Sequence, residues 1–122
     1  MRQKVSDYIA EYIAQWGIRD VFTVTGGGAM HMNDAFGHHP KLHCTYQHHE
    51  QACAMAAEAY ARMDNRMAAV CVTTGPGATN AITGVLGGWM DSIPRLVFSG
   101  QARYATTVPA SGLPLRSMGV QE

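Results

Sequence analysis

Apolar positions at Val5, Ile9, Ile13 and Trp16 recur at the spacing of one helix face, and Gly17 stands where a left-handed residue ends a helix. The spacing predicts a helix of about fourteen residues. Asp20 to Thr25 is a short β-rich run that breaks at Gly26-Gly27-Gly28, after which Ala29 to Phe36 resumes a helical pattern. Leu42 to Tyr46 forms a second strand candidate. Glu50 to Met63 is so rich in Ala, Met and Glu that it predicts a helix. Met67 to Thr73 is an uninterrupted apolar run, the mark of a strand covered on both faces of a parallel sheet, and Thr74-Gly75-Pro76-Gly77 breaks it. A helix from Ala78 to Met90 and a strand from Arg95 to Ser99 complete the alternation, with the small residues of that helix predicting close packing on the sheet.

Strands alternating with helices of ten to fifteen residues predict an α/β fold, a three-layer α/β/α sandwich around a central, mostly parallel sheet. The core of the domain is expected over residues 1–101. Residues 102–122, with Thr106, Pro109, Ser111, Gly112 and Pro114, are expected as an extended or loop segment of the same domain, cut short before its end.

Composition narrows the function classes. At 122 residues the chain is one domain, long enough to bury about two-thirds of its unfolded surface. Nine Lys and Arg offset nine Asp and Glu, so no long-range field favours nucleic acid or an anionic membrane, and neither is expected as a partner. Charged residues are 15% of the chain, against roughly a quarter in typical domains. Part of the surface is therefore expected to face another domain. The charged start has no apolar stretch of the kind a signal peptide needs, and no run is long enough to span a membrane, which predicts a cytoplasmic location. Cys44, Cys53 and Cys71 lack metal or disulfide spacing and read as reduced, mostly buried thiols.

Candidate chemistry gathers at strand ends, because ligands of parallel sheets bind beyond the carboxyl ends of the strands. Gly26 to Gly28, Thr74 to Gly77, Ser99 to Gln101 and His48-His49-Glu50 all lie there. The first two fit neither the dinucleotide nor the P-loop pattern. Six histidines fall between His31 and His49, but Cys53 stands where a zinc-protease helix needs its second His, so no metal site is expected. His38-His39-Pro40 reads as an exposed turn. Glu50 opens an Ala- and Met-rich helix at the ligand edge. Apolar surroundings there favour sharing a proton with a ligand, while the plain alternative is an acid complementing the helix dipole.

Five motifs then occur in one order: Thr25-Gly26-Gly27-Gly28; His49-Glu50-Gln51 with Ala56-Ala57-Glu58-Ala59-Tyr60-Ala61-Arg62; Thr74-Gly75-Pro76-Gly77-Ala78-Thr79-Asn80; Met90-Asp91-Ser92-Ile93-Pro94; and Ser99-Gly100-Gln101. Together they resemble the N-terminal, pyrimidine-binding domain of thiamine-diphosphate enzymes of the acetolactate synthase type. The resemblance implies that Glu50 is catalytic: the matching glutamate hydrogen-bonds the pyrimidine ring nitrogen of the cofactor and favours the imino tautomer that deprotonates the thiazolium ring. It also implies that Gly26 and Gly27 lie beside the reacting centre, that Gly75, Pro76 and Gly77 border the pyrimidine, and that Gln121 is close to the substrate.

The same resemblance implies a decarboxylating or carboligating enzyme acting on a small 2-keto acid. Its diphosphate and Mg2+ are held by a separate domain, in a partner subunit of a homodimer or homotetramer, whose Gly-Asp-Gly and Asn pattern is not matched here. FAD in a full-length enzyme is left open, and these 122 residues alone are expected to be inactive. Val24-Thr25 replaces the usual Tyr-Pro, His48 a common Arg and Val120 a Phe, so the substrate is not fixed as pyruvate. Relatives tied to surface-polysaccharide biosynthesis carry a stretch like Thr25 to His31. The alternatives are a small subunit of a split 2-keto-acid decarboxylase and a non-catalytic interaction module that kept the fold.

Overall fold

The computed structural model describes residues 2–111. Within it the chain runs α1 (Val5–Gln15), β1 (Asp20–Thr23), a 3-10 turn (Gly27–Ala29), α2 (Met30–His38), β2 (His43–Tyr46), α3 (Glu50–Asp64), β3 (Ala69–Val72), α4 (Pro76–Met90) and β4 (Leu96–Ser99). A second 3-10 turn (Tyr104–Thr106) and α5 (Val108–Ser111) follow. The four strands are ordered β2-β1-β3-β4 and every pair is parallel, with Val21 beside Cys44 and Ala69, and Ala69 beside Leu96. The α/β sandwich expected from the pattern is the fold.

The sheet grows from β1 toward β2 and then reverses toward β3. Crossovers of one hand therefore place the connecting helices on opposite faces, and side-chain alternation along the strands sorts the core accordingly. Val21, Ala69 and Cys71 pack with Ala10 and Ile13 of α1 and Ala35 and Phe36 of α2. Val70 and Val72 face the other way, against Cys53 and Ala57 of α3 and Ala81 of α4, with Phe22 packed at the margin. All four residues of β3 are buried, as an apolar run between two helical layers requires. Burial pushes the Cys71 thiol up to about 12, so it remains protonated at neutral pH.

Several local expectations shift. Val5 and Trp16 are exposed; of the expected face Ile13 is buried, together with Ser6, Ala10 and Ala14, whose small side chains bring the helix close to its neighbours. Trp16 lies against Tyr12, and Gly17 takes φ +87° as predicted. The 67–73 run pairs as a strand only over Ala69–Val72. The helix expected from Ala78 starts at Pro76, since proline's fixed φ suits a first helical turn that needs no N–H partner. Beyond Gln101, two short helical turns replace part of the expected extended segment. His39 is not an exposed turn residue: its side chain is 10% exposed, with Nε2 3.0 Å from Glu11 and Nδ1 accepting from the Lys41 N–H.

The small residues of α4 divide their work: Ala81 packs with Val70 and Val72 of β3, as expected, whereas Gly84 serves helix-on-helix packing. A Cβ at Gly84 would lie 2.7 Å from Ala54 Cβ and 3.0 Å from the Gln51 carbonyl oxygen, both on α3. Farther along, the space beside Gly88 holds the Arg95 guanidinium. Its side chain is 5% exposed and donates to Glu58 and to the Val85 carbonyl oxygen. Glu58 also accepts from Arg62, which reaches Asp91. Pairing on this scale is what a buried guanidinium requires.

Gly84→Ala must push α3 from α4, because the atoms in its way include backbone; a loss of about 1–3 kcal/mol is expected. Gly87→Ala meets only Glu58 Oε2 at 3.6 Å and relieves a helix-interior glycine, so a gain of about 0.4–1 kcal/mol is expected. Chemical denaturation of the two variants checks the opposite signs.

Candidate functional site

Parallel pairing sends every strand end to one edge of the sheet. The switch point falls between β1 and β3, where successive connections leave in opposite directions and a crevice opens. Gly26 and Gly27 follow β1, Glu50 follows β2, and Gly75, Pro76 and Gly77 follow β3, so these six candidate residues share that edge. Gln121, the remaining candidate, lies outside the described residues.

Thr73 is the piece around which the loops close. A Cβ at Gly26 would lie 2.6 Å from Thr73 Cγ2, and a Cβ at Gly77 would also lie 2.6 Å from that methyl. Gly28 donates its N–H to Thr73 Oγ1 at 3.0 Å. The β4 end closes on the same layer, since a Cβ at Gly100 would lie 2.6 Å from the Gly28 carbonyl carbon. Gly26 itself is extended, at φ −172°, so the requirement for glycine there is close approach and not conformation. Gly75 is the conformational case: at φ +62°, ψ −125° it turns the chain into α4, and its carbonyl accepts from the Ala78 and Thr79 N–H groups. Gly27 differs from both, because nothing lies within 4 Å of a Cβ there.

Glu50 opens α3 at 9% exposure. His49 caps the helix, its Nδ1 accepting from the Gln51 N–H at 3.1 Å, which leaves the Glu50 side chain free of capping duty. Asn80, one turn into α4, donates from Nδ2 to Glu50 Oε2 at 3.0 Å. Oε1 has no hydrogen-bond partner among the described residues and faces the space left at Gly77, where a Cβ would come to 3.4 Å. A buried carboxylate with one oxygen held and the other open is poised to accept a proton donor from a ligand. One turn further on, the Cys53 thiol is pushed up to about 11, first by burial and then by the Glu50 charge, and stays protonated at neutral pH.

Two contributors were not singled out by sequence reasoning. Asn80 was read only as part of a motif; its signal was a position three residues after Gly77, on the first turn facing α3. Thr73 stood at the end of an apolar run and looked like the last strand residue. Only the topology reveals that two loops close on it. Among the described residues, no group of three or more His, Cys, Asp or Glu side chains gathers as a metal site needs, and no helix is long and apolar enough to cross a membrane.

The parallel sheet, the glycine-lined crevice at its switch point and the half-held acid are those of an α/β domain with a candidate ligand site at its strand ends. The chain belongs to the family described as "Thiamine pyrophosphate enzyme, N-terminal TPP binding domain", which matches residues 3–117. It is 37% identical over 99 residues to acetolactate synthase 2, chloroplastic, of Zea mays, covering 81% of this chain and 16% of that protein. It is 35% identical over 96 residues to the acetolactate synthase large subunit of Lactococcus lactis, covering 79% and 17%. The same enzyme subunit from Buchnera aphidicola subsp. Schizaphis graminum is 38% identical over 96 residues, again covering 79% and 17%. The chain thus spans about one-sixth of the length of the curated relatives it matches.

Thr73→Val keeps the methyl that fills the gap beside Gly26 and Gly77 but removes the acceptor of the Gly28 N–H. A loss of about 1 kcal/mol is expected, with faster amide hydrogen exchange at Gly28. Unchanged exchange there would show that the bond does not hold the loop.

Proposed function

We propose that this chain forms the pyrimidine-side wall of a thiamine-diphosphate-dependent enzyme that decarboxylates or carboligates a 2-keto acid, with Glu50 as the residue that activates the cofactor. The observation that carries the reading is the open Oε1 of a buried Glu50 whose Oε2 is held by Asn80, at a sheet edge cleared by glycine. The residues fit an aromatic ring carrying a hydrogen-bonding nitrogen: an acceptor waits at Oε1, and a side chain at Gly77 would fill the space beside it.

When bound, thiamine diphosphate supplies an acidic thiazolium carbon and an electron sink for the electrons released by decarboxylation. The chain's own residues provide placement and the proton relay. Glu50 holds a proton at Oε1, between carboxyl and ligand nitrogen, and its partial burial keeps water from competing for that bond. Asn80 fixes the carboxyl plane through Oε2 and is a positioning residue. Gly75 and Pro76 set the direction of α4 and hence the place of Asn80. Gly26 lets the β1 loop lie close on Thr73, and Gly27 leaves open space over which substrate can approach.

The diphosphate and its Mg2+ would be held by a second domain, contributed by a partner subunit in a homodimer or homotetramer. Support for such a partner comes from the exposed apolar residues of α4, Ile82, Leu86, Trp89 and Met90. On this reading the 122 residues alone are silent, and the substrate is a 2-keto acid not restricted to pyruvate.

Glu50→Gln in the full-length enzyme keeps a hydrogen-bonding side chain but cannot relay a proton. Hydrogen–deuterium exchange at the thiazolium carbon of bound thiamine diphosphate is expected to slow by about 10²–10⁴-fold, with cofactor affinity changed far less. Exchange at the wild-type rate would remove Glu50 from the role.

A further inference from the structure

A cleft of about 400 Å³ adjoins the β1 loop on the side where the β4 end closes, walled by Gly27, Gly28, His31, Thr74, Gln101 and Arg103. None of the residues lining it is acidic. Gln101 Oε1 accepts from both Thr74 Oγ1 and the Ala102 N–H, each at 2.8 Å. A backbone N–H only donates, so the atom it meets is the amide oxygen. The Gln101 NH2 group is therefore left as a donor, with no partner among the described residues. Arg103, like Arg2 and Arg19 and unlike Arg62, Arg66 and Arg95, has no carboxylate within ion-pair distance among the described residues, and of the three unpaired arginines it is the one that lines this cleft. Gly27 offers open backbone, with nothing within 4 Å of where its Cβ would stand. A guanidinium, an amide NH2 and an imidazole thus line one concavity in a chain whose net charge is zero.

We infer that this cleft takes the anionic tail of the substrate, a carboxylate or phosphate ester remote from the reacting keto group, with Arg103 as its principal cation and Gln101 and His31 as further donors. A cleft that holds a guanidinium and an amide NH2 and no carboxylate favours an anion, and a guanidinium fork matches both carboxylate and phosphate oxygens. The inference rests on the reading of this sheet edge as the cofactor side, because the cleft shares Gly27 with the β1 loop proposed to lie beside the reacting centre. It adds a substrate class, 2-keto acids or acceptors with a charged tail, to a site whose specificity is otherwise open.

The test is calorimetric titration of the full-length protein with succinate and, separately, with inorganic phosphate, for wild type, Arg103→Gln and His31→Gln. Thiamine diphosphate binding is measured alongside. Saturable binding of one probe to wild type is expected, weakened about tenfold to a hundredfold in Arg103→Gln and less in His31→Gln, with thiamine diphosphate affinity unchanged. Binding of succinate alone identifies a carboxylate tail, and of phosphate alone a phosphate ester. Equal binding in wild type and Arg103→Gln, or none in either, overturns the inference. Loss of thiamine diphosphate binding in every protein, wild type included, would remove the cofactor reading while the anion result stood by itself.

Discussion

The contact on which the site depends is the closure of two strand-end loops on Thr73. Its methyl occupies the space that a side chain at Gly26 or Gly77 would take, and its hydroxyl receives the Gly28 N–H. Closure from both sides brings the β1 loop against the turn into α4. That turn in turn sets Asn80 against Glu50. Glycine is needed at Gly26 and Gly77 for space, whereas at Gly75 it is needed for a backbone angle that side chains resist. The three positions look alike in the sequence and do different physical work.

Energetically the site is held from its far end as well. Gly84 lets α3 and α4 approach at their middle, and the Arg95–Glu58–Arg62–Asp91 chain ties their distal halves. With both helices fixed relative to each other, the Glu50–Asn80 bond spans two rigid elements rather than two loops. A carboxylate positioned this way needs little reorganisation when a ligand arrives, which is the condition under which buried polar groups contribute most to catalysis.

Much of this was legible in the sequence, and the reasons are physical. The fully buried β3 announced itself as an unbroken apolar run, and the parallel alternation followed from segment lengths. Glu50 stood out because it opens a helix at the strand-end edge where parallel sheets bind their ligands. The orientation of α1 was misjudged because large apolar residues drew attention while the small ones, Ser6, Ala10 and Ala14, make the close contact. The small residues of α4 were expected on the sheet, where Ala81 does lie, but periodicity does not show what each position of a face meets, and Gly84 meets α3. Thr73 and Asn80 were silent for a related reason: their roles come from which strand ends and helix turns the topology brings together, and spacing along the chain holds no record of that.

The central claim is that Glu50 Oε1 is the open acceptor of a cofactor-binding edge. A crystal structure of the full-length protein with thiamine diphosphate tests it most directly. The account predicts a pyrimidine ring nitrogen within about 3 Å of Glu50 Oε1, with Oε2 still held by Asn80. A pyrimidine lodged elsewhere, or a Glu50 carboxyl turned away from it, would contradict the account.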